Sequence, residues 1–170
     1  MLSRRNIRVK VMQTLYTIDS MDNETRPGEP LQILKKKLEH SQQLFTYLVY
    51  YIIEVARFAE KDAAQKSQKH LPSAHDLNIN TKISGNEVVW AILENKSFQK
   101  SVEQLKIKYL INEDLIKKCY LALIASSEYK EYITEGSRDK KSEKKILEFI
   151  FDDLMLPDDH FISDVEEKFI

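Results

Sequence analysis

The sequence predicts an all-α helical bundle, and three observations carry that expectation. Its 3 glycines and 4 prolines are too few for the many tight turns of a β-sandwich or barrel. Apolar residues recur at helical spacing almost from end to end. With 170 residues, 42% of them hydrophobic, the chain is long enough for one ordinary core.

The first helix should start at Ser3, a good N-cap, and carry Ile7, Val11, Leu15 and Ile18 on one stripe. Val9, Met12 and Tyr16 form a second stripe, so the helix should lie between neighbours with Asn6, Lys10, Gln13 and Thr17 as its wet strip. The polar stretch "DSMDNETRPGEP" reads as a loop. From Leu31, the residues Leu34, Leu38, Phe45, Leu48, Ile52, Val55 and Ala59 keep helical spacing for about eight turns, fading toward His70. "HLPSAHDLNINTKISGN" is the clearest break and should cross the surface as a loop. Shorter helices are predicted over 87–94, 97–108 and 113–126, the last continuing toward Tyr132. After "EGSRDKKSEKK" comes an amphipathic helix with Ile146, Phe149, Ile150 and Leu154, stopped by Pro157. A last helix aligns Phe161, Val165 and Phe169 every four residues, an apolar face that calls for a partner.

Charge and cysteine usage narrow the function. The 26 Lys+Arg against 27 Asp+Glu give a net charge of -1, so any grip on nucleic acid must be local. The single Cys119 excludes an internal disulfide framework and a cysteine zinc site, and among Ile116, Tyr120 and Leu123 it reads as a packed thiol. No run approaches the roughly 18 apolar residues of a membrane span, and no small-residue cleavage site follows the N-terminus, which makes the cytoplasm the expected location.

His70, His75 and Asp76 are the one metal-like trio, but they lack the i, i+4 alignment of a zincin pair and read as loop polar groups. No serine or cysteine pairs with a base, so neither an enzyme, a metal nor a cofactor is expected. In "LFTYLVYYIIEVARF" the spacing assigns Phe45 and Phe58 to the core and leaves Tyr50 and Tyr51 open to a partner. The acidic stretch "FDDLMLPDDHFISDVEE" repels phosphate and suits a basic protein.

The local grip is visible in "SRRNIRVKVMQTLY". On a helix, Arg4, Arg5 and Arg8 span an arc of roughly 100°, so their guanidinium forks can face one surface. Such forks donate paired, charge-assisted hydrogen bonds to phosphate, and a helix start adds free N–H groups. Cations there oppose the helix dipole by roughly 0.3 to 1 kcal/mol each. RNA backbone is therefore the expected ligand, against a rival in which the arginines only pair with acids on a helical protein-interaction scaffold.

The same stretch resembles the first helix of the bacterial transcription antitermination protein NusB family. That pattern is an arginine pair, two positions, a third arginine, then a Gln-x-Leu-Tyr turn, met here by Arg4, Arg5, Arg8, Gln13, Leu15 and Tyr16. A similar helix opens the RNA-binding domain of some ribosomal RNA cytosine methyltransferases, but this chain has no room for their catalytic domain and no Gly-rich loop. The resemblance implies a non-enzymatic helical bundle that binds boxA-type RNA of ribosomal RNA transcripts with the ribosomal protein NusE, within the transcription elongation complex. It assigns RNA contact to Arg4, Arg5 and Arg8, NusE contact to Tyr16, and a core position to Leu15.

Strong similarity covers about residues 2–20, and "KKILEFIFDDL" resembles the next family helix loosely. The later family stretches, of the types A-I-N-E-A-V-E-L-A-K and F-V-N-G-V-L-D, are absent. The resemblance thus implies a long form of the family: first helix at 1–20, a helical insertion at 21–137, and at 138–170 the start of a remaining bundle that is cut short.

Overall fold

The computed structural model describes residues 3–21, 26–71 and 73–169, the side chain of His75 excepted. Every regular element among them is helical, so the all-α expectation holds. Among the described residues no helix is long and apolar enough to cross a membrane. The chain divides into two compact units, Met1–Phe45 and Thr46–Ile170.

The first unit holds α1 (Arg4–Asp19) and the start of α2 (Glu29–Ser67). Ser3 caps α1 as expected, its hydroxyl accepting from the Asn6 N–H at 3.2 Å. The covered side of α1, however, is rotated from the first predicted stripe, of which it keeps Val11 and Ile18, and it excludes the second. Thr14 is its one buried residue, 4% exposed, and half-buried Lys10, Val11, Thr17 and Ile18 flank it. Ile7, Val9, Met12, Leu15 and Tyr16 are exposed.

Lys10 and Thr17 therefore leave the predicted wet strip, and Leu15, expected in the core, is 56% exposed. The reason is local chemistry. The hydroxyls of Thr14 and Thr17 donate back to the carbonyls of Lys10 (2.8 Å) and Gln13 (2.7 Å), so these side chains can turn inward without an orphan donor.

Helix α2 opens after Gly28, whose φ of 88° only glycine adopts without strain. Along its part in the first unit, Ile33, Leu34, Leu38 and Leu44 are half-buried, while Phe45 is 62% exposed. The expected core position of Phe45 is therefore wrong by one step of the helix.

In the second unit α2 buries Tyr47, Tyr50, Tyr51, Ile53, Val55, Ala56 and Ala59. Tyr50 and Tyr51, expected to await a partner, are thus core. The Tyr51 ring meets Phe161 edge-on at 4.8 Å, Tyr47 meets Phe169 at 5.0 Å, and Phe58 meets Tyr120 at 5.1 Å. These contacts lock α2 to α6 (Glu113–Ala125) and α9 (Asp159–Phe169). The apolar face of α9 that called for a partner is covered by α2.

Between them lie α3 (Ala74–Leu77), a 3₁₀ turn (Lys82–Gly85), α4 (Glu87–Leu93), α5 (Lys96–Gln104), α7 (Ser127–Thr134) and α8 (Lys140–Phe149). Short polar residues punctuate them: the side chains of Asn86, Asn95, Asn112 and Ser126 cap α4, α5, α6 and α7.

The stretch predicted as a surface loop holds α3 and the 3₁₀ turn and buries Ile83, Ser84 and Asn86, and three helix boundaries also differ from the sequence reading. The helix predicted over 97–108 stops at Gln104, since Lys106 takes a left-handed φ of 53°, and a 3₁₀ turn follows at Ile107–Leu110. The helix predicted to run on toward Tyr132 breaks at Ser126, whose extended backbone ends α6 while its hydroxyl starts α7. Helix α8 continues as a π-helical segment, Ile150–Met155, before Pro157.

Candidate nucleic-acid interface

Helical geometry gathers six exposed residues of α1 on one face opposite Thr14, while exposed Ile7 lies beside Thr14 and off that face. At about 100° per residue, Arg4, Leu15, Arg8, Met12, Arg5 and Tyr16 follow one another within about 120° of arc. The arginines occupy the first two turns, and Met12, Leu15 and Tyr16 the last two. All are exposed, Tyr16 to 76%.

None of the three guanidinium groups has an ion pair or a side-chain hydrogen bond among the described residues. No acidic residue stands in the first turn either. The face joins unpaired cationic forks to an exposed aromatic ring and two apolar side chains, a combination that suits a backbone phosphate beside an unstacked base or a protein partner. Leu15 and Met12 are the members that the family pattern did not assign to the surface. Counting positions around the helix from Thr14 finds them.

A second basic and acidic cluster has the opposite character. Glu143 of α8 is 0% exposed. Its carboxylate accepts from the Glu87 N–H at the start of α4 (2.7 Å) and the Tyr132 hydroxyl (2.8 Å), with the Arg138 guanidinium at 3.4 Å. The Asn86 amide donates to the Glu143 carbonyl at 2.9 Å. Arg138 in turn donates to the carbonyls of Gly85 (2.6 Å) and Lys82 (3.1 Å), where a Cβ on Gly85 would meet its Nη2 at 2.8 Å.

Lys82 lies over the Tyr132 ring at 4.4 Å and donates to the Tyr132 and Glu135 carbonyls. Every polar group here has a partner, so the cluster pins α4, α7 and α8 together. Burial, then the Glu143 hydrogen bond, drives the Tyr132 hydroxyl far above its ordinary value. Nothing in "EGSRDKKSEKK" separates Arg138 and Glu143 from their solvated neighbours, and sequence reasoning missed both.

Of the remaining candidates, Asp76 and Cys119 take structural roles. Asp76 bonds Lys69 (2.8 Å) and Ser73, which hold its carboxyl well below the usual range. His70 is exposed, and His75 lies outside the described side chains. No group of three His, Cys, Asp or Glu among the described residues could hold a metal ion. Burial pushes the Cys119 thiol up to about 12, as a packed thiol requires.

In the acidic stretch, Asp158 pairs with Lys118 (2.8 Å), and Asp164 accepts from Tyr47 (2.8 Å) while pairing with Lys168. Those carboxylates serve the fold. Comparison with protein-family models, curated proteins and solved structures finds no match for this chain.

Proposed function

We propose that the chain is a non-enzymatic RNA-binding transcription antitermination factor. It grips the phosphates of boxA-type single-stranded RNA of ribosomal RNA transcripts through Arg4, Arg5 and Arg8, and acts in the cytoplasm with NusE on the elongation complex. The observation that carries this reading is the exposure of three unpaired arginines on one face of α1. A scaffold whose arginines are there to pair with acids would show ion pairs at Arg4, Arg5 and Arg8, and none is made among the described residues. The resemblance of "SRRNIRVKVMQTLY" to the NusB first helix supplies the RNA and the partner. Tyr16, on the same face, is the residue it turns toward NusE.

Electrophoretic mobility shift with a short boxA-type RNA tests the reading. The chain should retard the RNA, NusE should strengthen the shift, and Tyr16→Ala should remove the strengthening while leaving the binary shift intact. A folded sample that shifts neither boxA-type RNA nor an unrelated single strand, with NusE or without, would refute it.

A further inference from the structure

The second unit holds a pocket of about 330 Å³ between α2, the 3₁₀ turn at Ile107–Leu110 and the start of α6. Pockets for small molecules run from about 300 Å³ upward, so its size suits one small ligand rather than a peptide segment. Three cations, Arg57, Lys61 and Lys108, and three carboxylates, Glu54, Glu60 and Glu113, line it. Phe58, Ile111 and Ile116 supply its apolar part.

Part of this charge is already spent. Glu113 accepts from Lys61 at 2.7 Å, and Glu54 accepts from Nη1 of Arg57 at 3.3 Å, a single contact that leaves the rest of that guanidinium open. Lys108 and Glu60 are left over, with no ion pair among the described residues. The chain is bent to hold Lys108 there. Ile107, 0% exposed, anchors the turn, and Lys106 before it takes a left-handed φ of 53°, a conformation that costs a residue with a side chain energy.

The open groups select a ligand that brings an anion, hydrogen-bond donors and a flat apolar body. Arg57 and Lys108 suit a phosphate. The Glu60 carboxylate only accepts, through two oxygens side by side, so it suits a base edge with two adjacent N–H donors. Guanine has that edge. Adenine and cytosine set one donor beside an acceptor, which a carboxylate repels.

We propose that this pocket binds a guanine nucleotide, its phosphate at Arg57 and Lys108, its base edge at Glu60 and its rings against Phe58 and Ile111. The site lies wholly in the second unit and uses none of the α1 arginines, so it stands independently of the RNA grip. A free nucleotide and a guanine of single-stranded RNA offer the same chemistry.

Isothermal titration calorimetry of the full chain with guanosine monophosphate, adenosine monophosphate and inorganic phosphate tests the site. The guanine nucleotide should bind about tenfold more tightly than either of the others, and Lys108→Ala should weaken it by about tenfold, the size of one charge-assisted hydrogen bond. Glu60→Gln should remove the preference over the adenine nucleotide, because an amide sets a donor where guanine needs an acceptor. Both side chains are exposed, and far-UV circular dichroism checks that helix content is kept. Arg5→Ala with Arg8→Ala should leave nucleotide affinity unchanged, which keeps failure of this site distinct from failure of the RNA grip. Competition with a single strand containing one guanine separates the sources: displacement of the nucleotide assigns the pocket to RNA, and its retention assigns the pocket to the free nucleotide. A folded chain that does not bind guanosine monophosphate at millimolar concentration would overturn the proposal. So would equal affinity for the three probes, or an affinity that neither Lys108→Ala nor Glu60→Gln moves.

Discussion

Arg138 and the arginines of α1 are the same residue in opposite circumstances. Arg138 spends its guanidinium on the carbonyls of Lys82 and Gly85 and on a carboxylate that water does not reach. Arg4, Arg5 and Arg8 stand on an exposed face with no partner among the described residues. The difference teaches that charge on this chain is divided by use. Lys82, Lys118 and Arg138 in the second unit hold helices together, and Arg4, Arg5 and Arg8 make no ion pair among the described residues.

The largest expected effect belongs to the buried tyrosines of the second unit. Burial, helped at Tyr50 by the Glu54 carboxylate, pushes the hydroxyls of Tyr50 and Tyr129 up to about 12. Between pH about 10 and about 12 the unfolded chain gives up tyrosine protons that the folded chain keeps, so stability falls as pH rises through that window. Urea unfolding followed across alkaline pH should show a midpoint that is level below about pH 9 and drops above about pH 10.

Next in size is Glu143→Ala, which leaves the Tyr132 hydroxyl and the Glu87 N–H without their acceptor and Arg138 without its counter-charge. It should cost about 3 kcal/mol in urea unfolding. A loss below about 0.5 kcal/mol, the ordinary range for surface changes, would mean the cluster is no anchor.

Smaller again is Leu15→Ala. A core leucine loses about 2–5 kcal/mol on truncation, whereas the exposed Leu15 of this structure should lose less than about 0.5 kcal/mol. Chemical denaturation of the variant thus decides between the covered side at Thr14 and the stripe that the sequence predicts.

Much of the second unit was legible because its apolar spacing is regular. The apolar spacing places helix starts at Glu87 and Glu113, where the side chains of Asn86 and Asn112 cap them in the structure, and Phe161 and Phe169 repeat along one side of α9. What sequence could not settle was helical phase. In α1 apolar residues occupy two sides, so a buried threonine could shift the covered face without breaking any pattern. Around "LFTYLVYYIIEVARF" the aromatic residues are so dense that Phe45 and Tyr47 offer two phases, and only packing against Phe161 and Phe169 selects the tyrosines. The exposed arginines were legible as a cluster at a helix start. The Glu143 anchor was not, since its partners lie five, eleven and fifty-six residues away along the chain.

The central claim is that the α1 arginines are held for phosphate. Its most direct test is fluorescence anisotropy of a boxA-type RNA titrated with the wild-type chain and with Arg5→Ala/Arg8→Ala at several salt concentrations. Three phosphate contacts predict a log–log slope of about −2 for the wild type, at about −0.7 per contact on a single strand, and a slope shallower by about 1.4 for the variant. The variant should keep its helix content, and its unfolding midpoint should not fall, because cations at a helix start oppose the dipole. Equal affinities and equal slopes for the two proteins would contradict the account.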